Sequence, residues 1–231
     1  MNSDFVRLSA RRPIICLVTD RRRLSPGAVL DRQLNDLIAL VVAAVKAGIE
    51  IVQVRERDLS RRKLNSLVAR CVEASGDSGT RVVVNDGADV ALATGAAGVH
   101  LREDSIASER VRTLGGHNWL LSRALHDPSK VPGKSSTLDY MLFGTVFPTV
   151  SKGVGCPLGG LGGLREATKR AHVPVLAIGG VTESRLEDLW RAGAAGIAGI
   201  GLFIESAQLH FDWAVGLTGL VRRVRRSFDT V

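Results

Sequence analysis

Eight short apolar runs recur along these 231 residues, most of them followed by a stretch with helical periodicity. That alternation limits the fold more than any other feature. The runs fall at 14–18, 49–54, 81–84, 98–101, 119–121, 140–143, 173–178 and 196–200. Most are rich in β-branched residues and nearly continuous in apolarity, as strands covered on both faces should be. Between them lie candidate helices at 33–47, 61–75, 88–94, 109–114, 163–170, 184–191 and 209–224. The fifth connection, 126–137, carries Pro128, Pro132 and Gly133 and is left without a helix assignment. Eight strands alternating with helices over about 200 residues point to one α/β (β/α)₈ TIM barrel. An open doubly wound sheet is the alternative, and the strand count favours the barrel. The barrel is expected to span 13–225 as a single domain, with loose ends at 1–12 and 226–231.

The net charge is +8, from 31 Lys and Arg against 23 Asp and Glu, and much of the excess lies near the two ends. A basic balance suits nucleic acid, an anionic membrane or an anionic substrate. The Lys and Arg form no stripe interleaved with aromatics, which make up only 4% of the chain, so no nucleic-acid partner is expected. Cys16, Cys71 and Cys156 lie far apart, with no C-x-x-C spacing, and suggest neither zinc nor a disulfide framework. The first residues are polar, without the apolar stretch of a signal peptide, and no window approaches a membrane span. A cytoplasmic protein is the expectation. The sequence leaves a homodimer open.

In such a barrel, chemistry gathers on the loops that follow the strands. After the second run come Gln53, Arg55, Glu56 and Arg57, and after the third Asn85 and Asp86. His100, Glu103, Asp104 and Ser105 follow the fourth run, with Arg123 and His126 after the fifth. The sixth leads into Thr149, Val150, Ser151, Lys152 and Gly153. Gly179–Gly180 follows the seventh run, and Gly199, Ile200 and Gly201 end or follow the eighth. The two glycine turns read either as tight turns or, being on adjacent loops, as a phosphate cup in which backbone N–H groups reach an oxyanion. Thr149, Ser151 and Lys152 suit a second anionic group such as a diphosphate. Asp86 and Asp104 suit Mg²⁺, although Asp86 can equally cap the next helix. Arg55 can hold an anion or pair with Glu56 or Glu103. His126 can move protons near neutral pH, whereas His100 reads as structural.

Several segments, in this order, resemble the thiamin phosphate synthase and thiazole tautomerase (TenI) superfamily. They are Val52-Gln53-Val54-Arg55-Glu56-Arg57, Val84-Asn85-Asp86, Gly98-Val99-His100-Leu101, Phe143-Gly144-Thr145-Val146-Phe147-Pro148-Thr149-Val150-Ser151-Lys152 and Ala177-Ile178-Gly179-Gly180-Val181. The resemblance implies a thiamin-biosynthetic transferase. It would join hydroxymethylpyrimidine diphosphate to thiazole phosphate and release pyrophosphate. By the same resemblance, Gln53, Arg55 and Asn85 would hold the pyrimidine and its diphosphate. Thr149, Ser151 and Lys152 would hold the diphosphate and the thiazole side. Gly179, Gly180, Ile200 and Gly201 would take the thiazole phosphate. Asp86 would bind Mg²⁺, with Asp104 as its candidate companion.

Three positions depart from the synthase pattern. Ser105 stands where the second metal aspartate is expected, Ala124 where a serine is usual, and Arg57 where a lysine is usual. Ser105 and Arg123 look more like the tautomerase branch. There a histidine matching His126 would aromatise a carboxythiazole phosphate by acid–base catalysis, with no metal. A non-catalytic barrel that binds a phosphorylated ligand for regulation is the remaining alternative.

Overall fold

A strand buried on both faces sends alternate side chains to opposite sides. In β1 (Ile14–Val18), Ile15 and Leu17 face outward into the core shared with the helices, while Ile14, Cys16 and Val18 face inward. The inward set meets Ile51, Val83, Leu120, Tyr140, Leu142 and Leu176 from other strands, which fill the barrel interior. The computed structural model describes residues 13–133, 137–149 and 158–229.

The remaining strands are β2 (Ile51–Val54), β3 (Arg81–Asn85), β4 (Gly98–Leu101), β5 (Leu120–Leu125), β6 (Tyr140–Phe143), β7 (Val175–Ile178) and β8 (Gly196–Gly199). All pair in parallel in sequence order, and β8 closes on β1 with Ile14 opposite Gly196. The α/β barrel expected from the alternation is therefore the fold. The helices are α1 (Arg21–Leu24), α2 (Leu30–Ala47), α3 (Arg61–Ser75), α4 (Ala88–Thr94), α5 (Ser108–Gly115), α6 (Gly160–Arg170), α7 (Leu186–Arg191), α8 (Gly201–Gln208) and α9 (Trp213–Asp229). In α2, Leu37, Leu40, Val41 and Ala44 share one buried stripe at helical spacing and pack on the barrel. No described helix is long and apolar enough to cross a membrane.

Three features of the elements bear on the site. First, β5 runs to Leu125 rather than stopping at 121, because its polar residues find partners: buried Ser122 lies 2.8 Å from His100 Nδ1, and Arg123 donates to backbone carbonyls. Second, the fifth connection holds a 3₁₀ turn, Pro128–Lys130, and no α-helix among its described residues. Third, α8 is an additional helix directly after β8, and the helix expected at 209–224 is α9, starting at Trp213 and continuing to Asp229. A short extra helix at this place puts its N-terminus at the barrel mouth, where such barrels hold phosphate groups.

Candidate active site

The strand exits surround one cavity of about 720 Å³, within the range of small-molecule sites. Gln53, Arg55, Asn85 and Thr149 line it. The two glycine turns line it as well, from the adjacent strands β7 and β8. His126, Asp104 and the backbone from Gly199 to Leu202 complete the rim. Ser151, Lys152 and Cys156 lie outside the described residues.

The glycine half of the mouth is built from backbone. Gly179 and Gly180 have φ of +98° and +62°, in the left-handed region. That conformation turns the chain sharply at the end of β7 and leaves backbone facing the cavity. The N-cap of α8, Ile200, makes no side-chain cap bond, so no side chain at that position competes for the first-turn N–H groups. Two arginines outside the sequence-derived set frame this half. Arg185 donates to the Gly180 carbonyl at 2.8 Å and stacks 4.3 Å from the Phe147 ring centroid. Arg23, on α1, lies over Gly201 and pairs with Glu205 at 2.7 Å. The signal for Arg23 was present, since α1 follows a strand exit, but its run of arginines read as part of a basic end.

The opposite half is polar and planar. Gln53 is almost fully buried; its Nε2 donates to Asn85 Oδ1 at 3.2 Å, while its Oε1 has no protein partner. A buried acceptor without a partner carries a desolvation penalty that a ligand hydrogen can relieve. Arg55 lies beside this pair and makes no ion pair with a described carboxylate. Burial, with repulsion from Arg57, pushes its pKa below the usual guanidinium value, so a ligand anion would favour its charged form.

Neither expected partner pairs with Arg55. Glu56 turns away, pairing with Arg21 at 2.8 Å and accepting from Thr19 Oγ1 at 2.7 Å. Glu103 joins His126 and Lys130, with His126 Nδ1 at 2.8 Å and Lys130 Nζ at 3.0 Å. Its carboxyl is held below the usual range: partial burial opposes that shift, but the bonds from Lys130 and His126 outweigh it. The Glu103 contact occupies His126 Nδ1 and leaves Nε2 outside that contact.

Asp86 occupies a left-handed backbone position, φ 53°, and its N–H donates to the His100 carbonyl at 2.8 Å. One carboxylate oxygen accepts from Ser105 Oγ, and the other accepts from Arg102 Nε at 2.8 Å. Asp104 Oδ1 lies 3.6 Å from that same nitrogen. Partial burial alone would raise the Asp86 pKa, yet the bonds from Ser105 and Arg102 bring it below the usual carboxylate value. Among the described residues, no group of three or more His, Cys, Asp or Glu is placed to hold a metal.

Residues 27–203 match the family described as thiamine monophosphate synthase. The chain belongs to that family. A putative thiamine-phosphate synthase of Geobacter sulfurreducens is 36% identical over 190 residues, covering 81% of this chain and 85% of that protein. A thiamine-phosphate synthase of Chlorobium luteolum is 32% identical over 223 residues, covering 96% and 99%. The solved structure of a thiamine phosphate pyrophosphorylase from Pyrococcus furiosus shares the fold, with a TM-score of 0.76 at 23% identity over 94% of this chain and 98% of that one. In this synthase-family barrel the sequence-derived residues Gln53, Arg55, Asn85, Thr149, Gly179, Gly180, Ile200 and Gly201 line one mouth.

Proposed function

We propose that this protein is a cytoplasmic transferase of thiamin biosynthesis that joins hydroxymethylpyrimidine diphosphate to thiazole phosphate and releases pyrophosphate. The observation that carries the reading is the division of one cavity into two halves. The amide pair and Arg55 form one half, and the two glycine turns with Arg23 form the other. A planar heterocycle bearing a diphosphate suits the first half. Gln53 Oε1 accepts a polar hydrogen of the ring substituent, and Arg55 faces the diphosphate. The thiazole phosphate suits the second half, on backbone N–H groups and the Arg23 cation.

In the reaction the bond from the pyrimidine methylene carbon to the diphosphate oxygen breaks, and the electron pair leaves with pyrophosphate. The thiazole nitrogen then donates its lone pair to the methylene cation and becomes the ring cation of the product. Charge builds on the leaving diphosphate, so fixed cations and N–H groups lower the barrier. Arg55 supplies one such cation from the cavity wall, and Lys152, which follows β6 in the sequence, would supply another. Holding the two rings in separate halves aligns nitrogen and carbon before ionisation.

The resemblance implies Mg²⁺ on Asp86 with Asp104. As arranged, these residues do not suit a shared divalent ion. Asp86 is engaged by Ser105 and Arg102, and Asp104 faces the same guanidinium. A divalent ion shared by the two carboxylates would lie beside the Arg102 guanidinium and be repelled by it.

The Glu103–His126 contact favours a second reading, tautomerisation of a carboxythiazole phosphate in the same cavity. His126 would move the proton, with the phosphate again on the glycine turns. Purified protein given both synthase substrates should form thiamin phosphate. Failure to form it, with faster tautomerisation of the carboxythiazole phosphate that His126→Ala abolishes, would select the second reading. Ligand binding without either turnover would select the regulatory one.

A further inference from the structure

We infer that Arg102 is the resident cation of the diphosphate half, standing where a divalent ion would otherwise bridge the carboxylates. The inference rests on the diphosphate reading above. Three contacts make the arrangement a closed unit. Arg102 Nε donates to Asp86 Oδ2 at 2.8 Å, Ser105 Oγ donates to Asp86 Oδ1, and the Arg102 backbone N–H donates to Ser105 Oγ at 3.1 Å. Asp104 adds its charge 3.6 Å from Arg102 Nε. One guanidinium thus meets both carboxylates through one nitrogen. Its two terminal nitrogens take no part in these contacts, and Arg102 lines the same cavity as Asn85 and Lys130.

The backbone supports the same assignment. Asp86 sits in a left-handed conformation and is tethered to the His100 carbonyl, so its carboxylate is aimed rather than free to search. Arg123 braces the loop carrying Arg102, donating to the carbonyls of Arg102 at 2.9 Å and of Glu103 and Ser105 at 3.2 Å. A fork of N–H donors fixed in this way can bind a phosphate oxygen with two parallel bonds. Ser105 is the residue that permits it. Its neutral hydroxyl satisfies Asp86 without adding a third negative charge that would call for a divalent ion.

The test is pyrophosphate binding by calorimetry, with the full chain in EDTA and in excess Mg²⁺. Wild type should bind with affinities that agree within about twofold in the two buffers, because the cation is already present. Arg102→Ala should weaken binding in EDTA by about tenfold, the scale of one charge-assisted hydrogen bond, and Mg²⁺ should restore part of it. Arg102→Lys should keep most of the charge effect and lose the forked geometry, falling between the two. Wild-type binding that needs Mg²⁺, Arg102→Ala binding unchanged in EDTA, or no pyrophosphate binding at all would each overturn the assignment. Absence of thiamin phosphate synthesis while binding stays metal-independent and Arg102-dependent would overturn the synthase reading and leave Arg102 as the anion-site cation.

Discussion

The guanidinium of Arg23 lies so close over Gly201 that a Cβ built there would come within 2.2 Å of its Nη2. The contact joins α1, after the first strand, to the first residue of α8, after the last. It delivers a side-chain cation to a turn otherwise made of backbone. Arg23→Ala should therefore raise the KM for thiazole phosphate by about tenfold with little change in kcat, since a remote phosphate contact contributes mainly uniform binding. Gly201→Ala tests the same contact from the other side. The obstructing atoms belong to the end of a flexible side chain, so the variant should fold while pushing Arg23 aside. Steady-state kinetics with thiazole phosphate varied would reveal both. Equal KM values in all three proteins would remove Arg23 from the cup.

Gly180 ties the other turn to the loop after β6. Its φ is +62°, and a Cβ there would lie 2.4 Å from the Pro148 carbonyl oxygen and 2.8 Å from that of Phe147. Backbone atoms cannot step aside as a side chain can. Gly180→Ala should destabilise the protein by about 2–3 kcal/mol, combining left-handed strain with overpacking. Urea unfolding measures the loss. A cost below about 0.5 kcal/mol, the scale of an ordinary surface substitution, would mean that the turn relaxes easily.

Arg21 and Glu56 form an ion pair with side chains only 4% and 2% exposed. Arg21 also bonds both oxygens of Asp58, which lowers the Asp58 carboxyl to about 2, chiefly through that bond. Glu56→Ala leaves Asp58 as the remaining carboxylate on the buried guanidinium and should cost about 1–3 kcal/mol, less than a fully stranded charge, whereas an apolar replacement of both partners should recover much of it. Comparing urea midpoints of the single and double variants decides the point. A double variant as unstable as the single one would show that lost charge compensation is not the cause.

Much of the barrel was legible because parallel strands buried on both faces leave near-continuous apolar runs. The residues of the mouth followed from reading only the strand exits, which is how Gln53, Asn85 and the glycine turns were found. Pairings were less legible. Adjacent Arg55 and Glu56 suggest a pair, but successive residues leaving a strand diverge, and Glu56 meets Arg21 instead. Arg23 meets Glu205, 182 residues away, a partner that no local pattern announces. The end of β5 was missed because Ser122 and Arg123 look like loop residues until their tertiary bonds are seen. Arg102 had no sequence signal as a cation for the carboxylates, since only the closed barrel brings the loops after β3 and β4 together.

His100 gives the protein an acid sensitivity with a defined window. The ring is buried, its Nδ1 lies 2.8 Å from Ser122 Oγ, and burial lowers its pKa from 6.5 to about 3. The charge of Asp86 pulls the other way, while Arg55 and Arg123 add to the depression. Well above pH 6.5 the ring is uncharged in both folded and unfolded chains and contributes little pH dependence. Below about 6.5 the unfolded chain takes up a proton that the folded one refuses, so stability falls as pH drops towards 3. The slope from this group is about 1.4 kcal/mol per pH unit across the middle of the window. Asp86, with its own lowered pKa, adds acid sensitivity of the same sign only near and below the ordinary carboxylate value of 3.8. Other shifted carboxyls such as Glu103 contribute alike to wild type and to a His100 variant, so comparing the two by urea unfolding between pH 6 and 4.5 isolates His100. His100→Asn should lack that slope, so the stability difference between wild type and variant should change by about 1.4 kcal/mol per pH unit over this range. Parallel stability curves over this range would show that the folded protein protonates His100 as readily as the unfolded chain does.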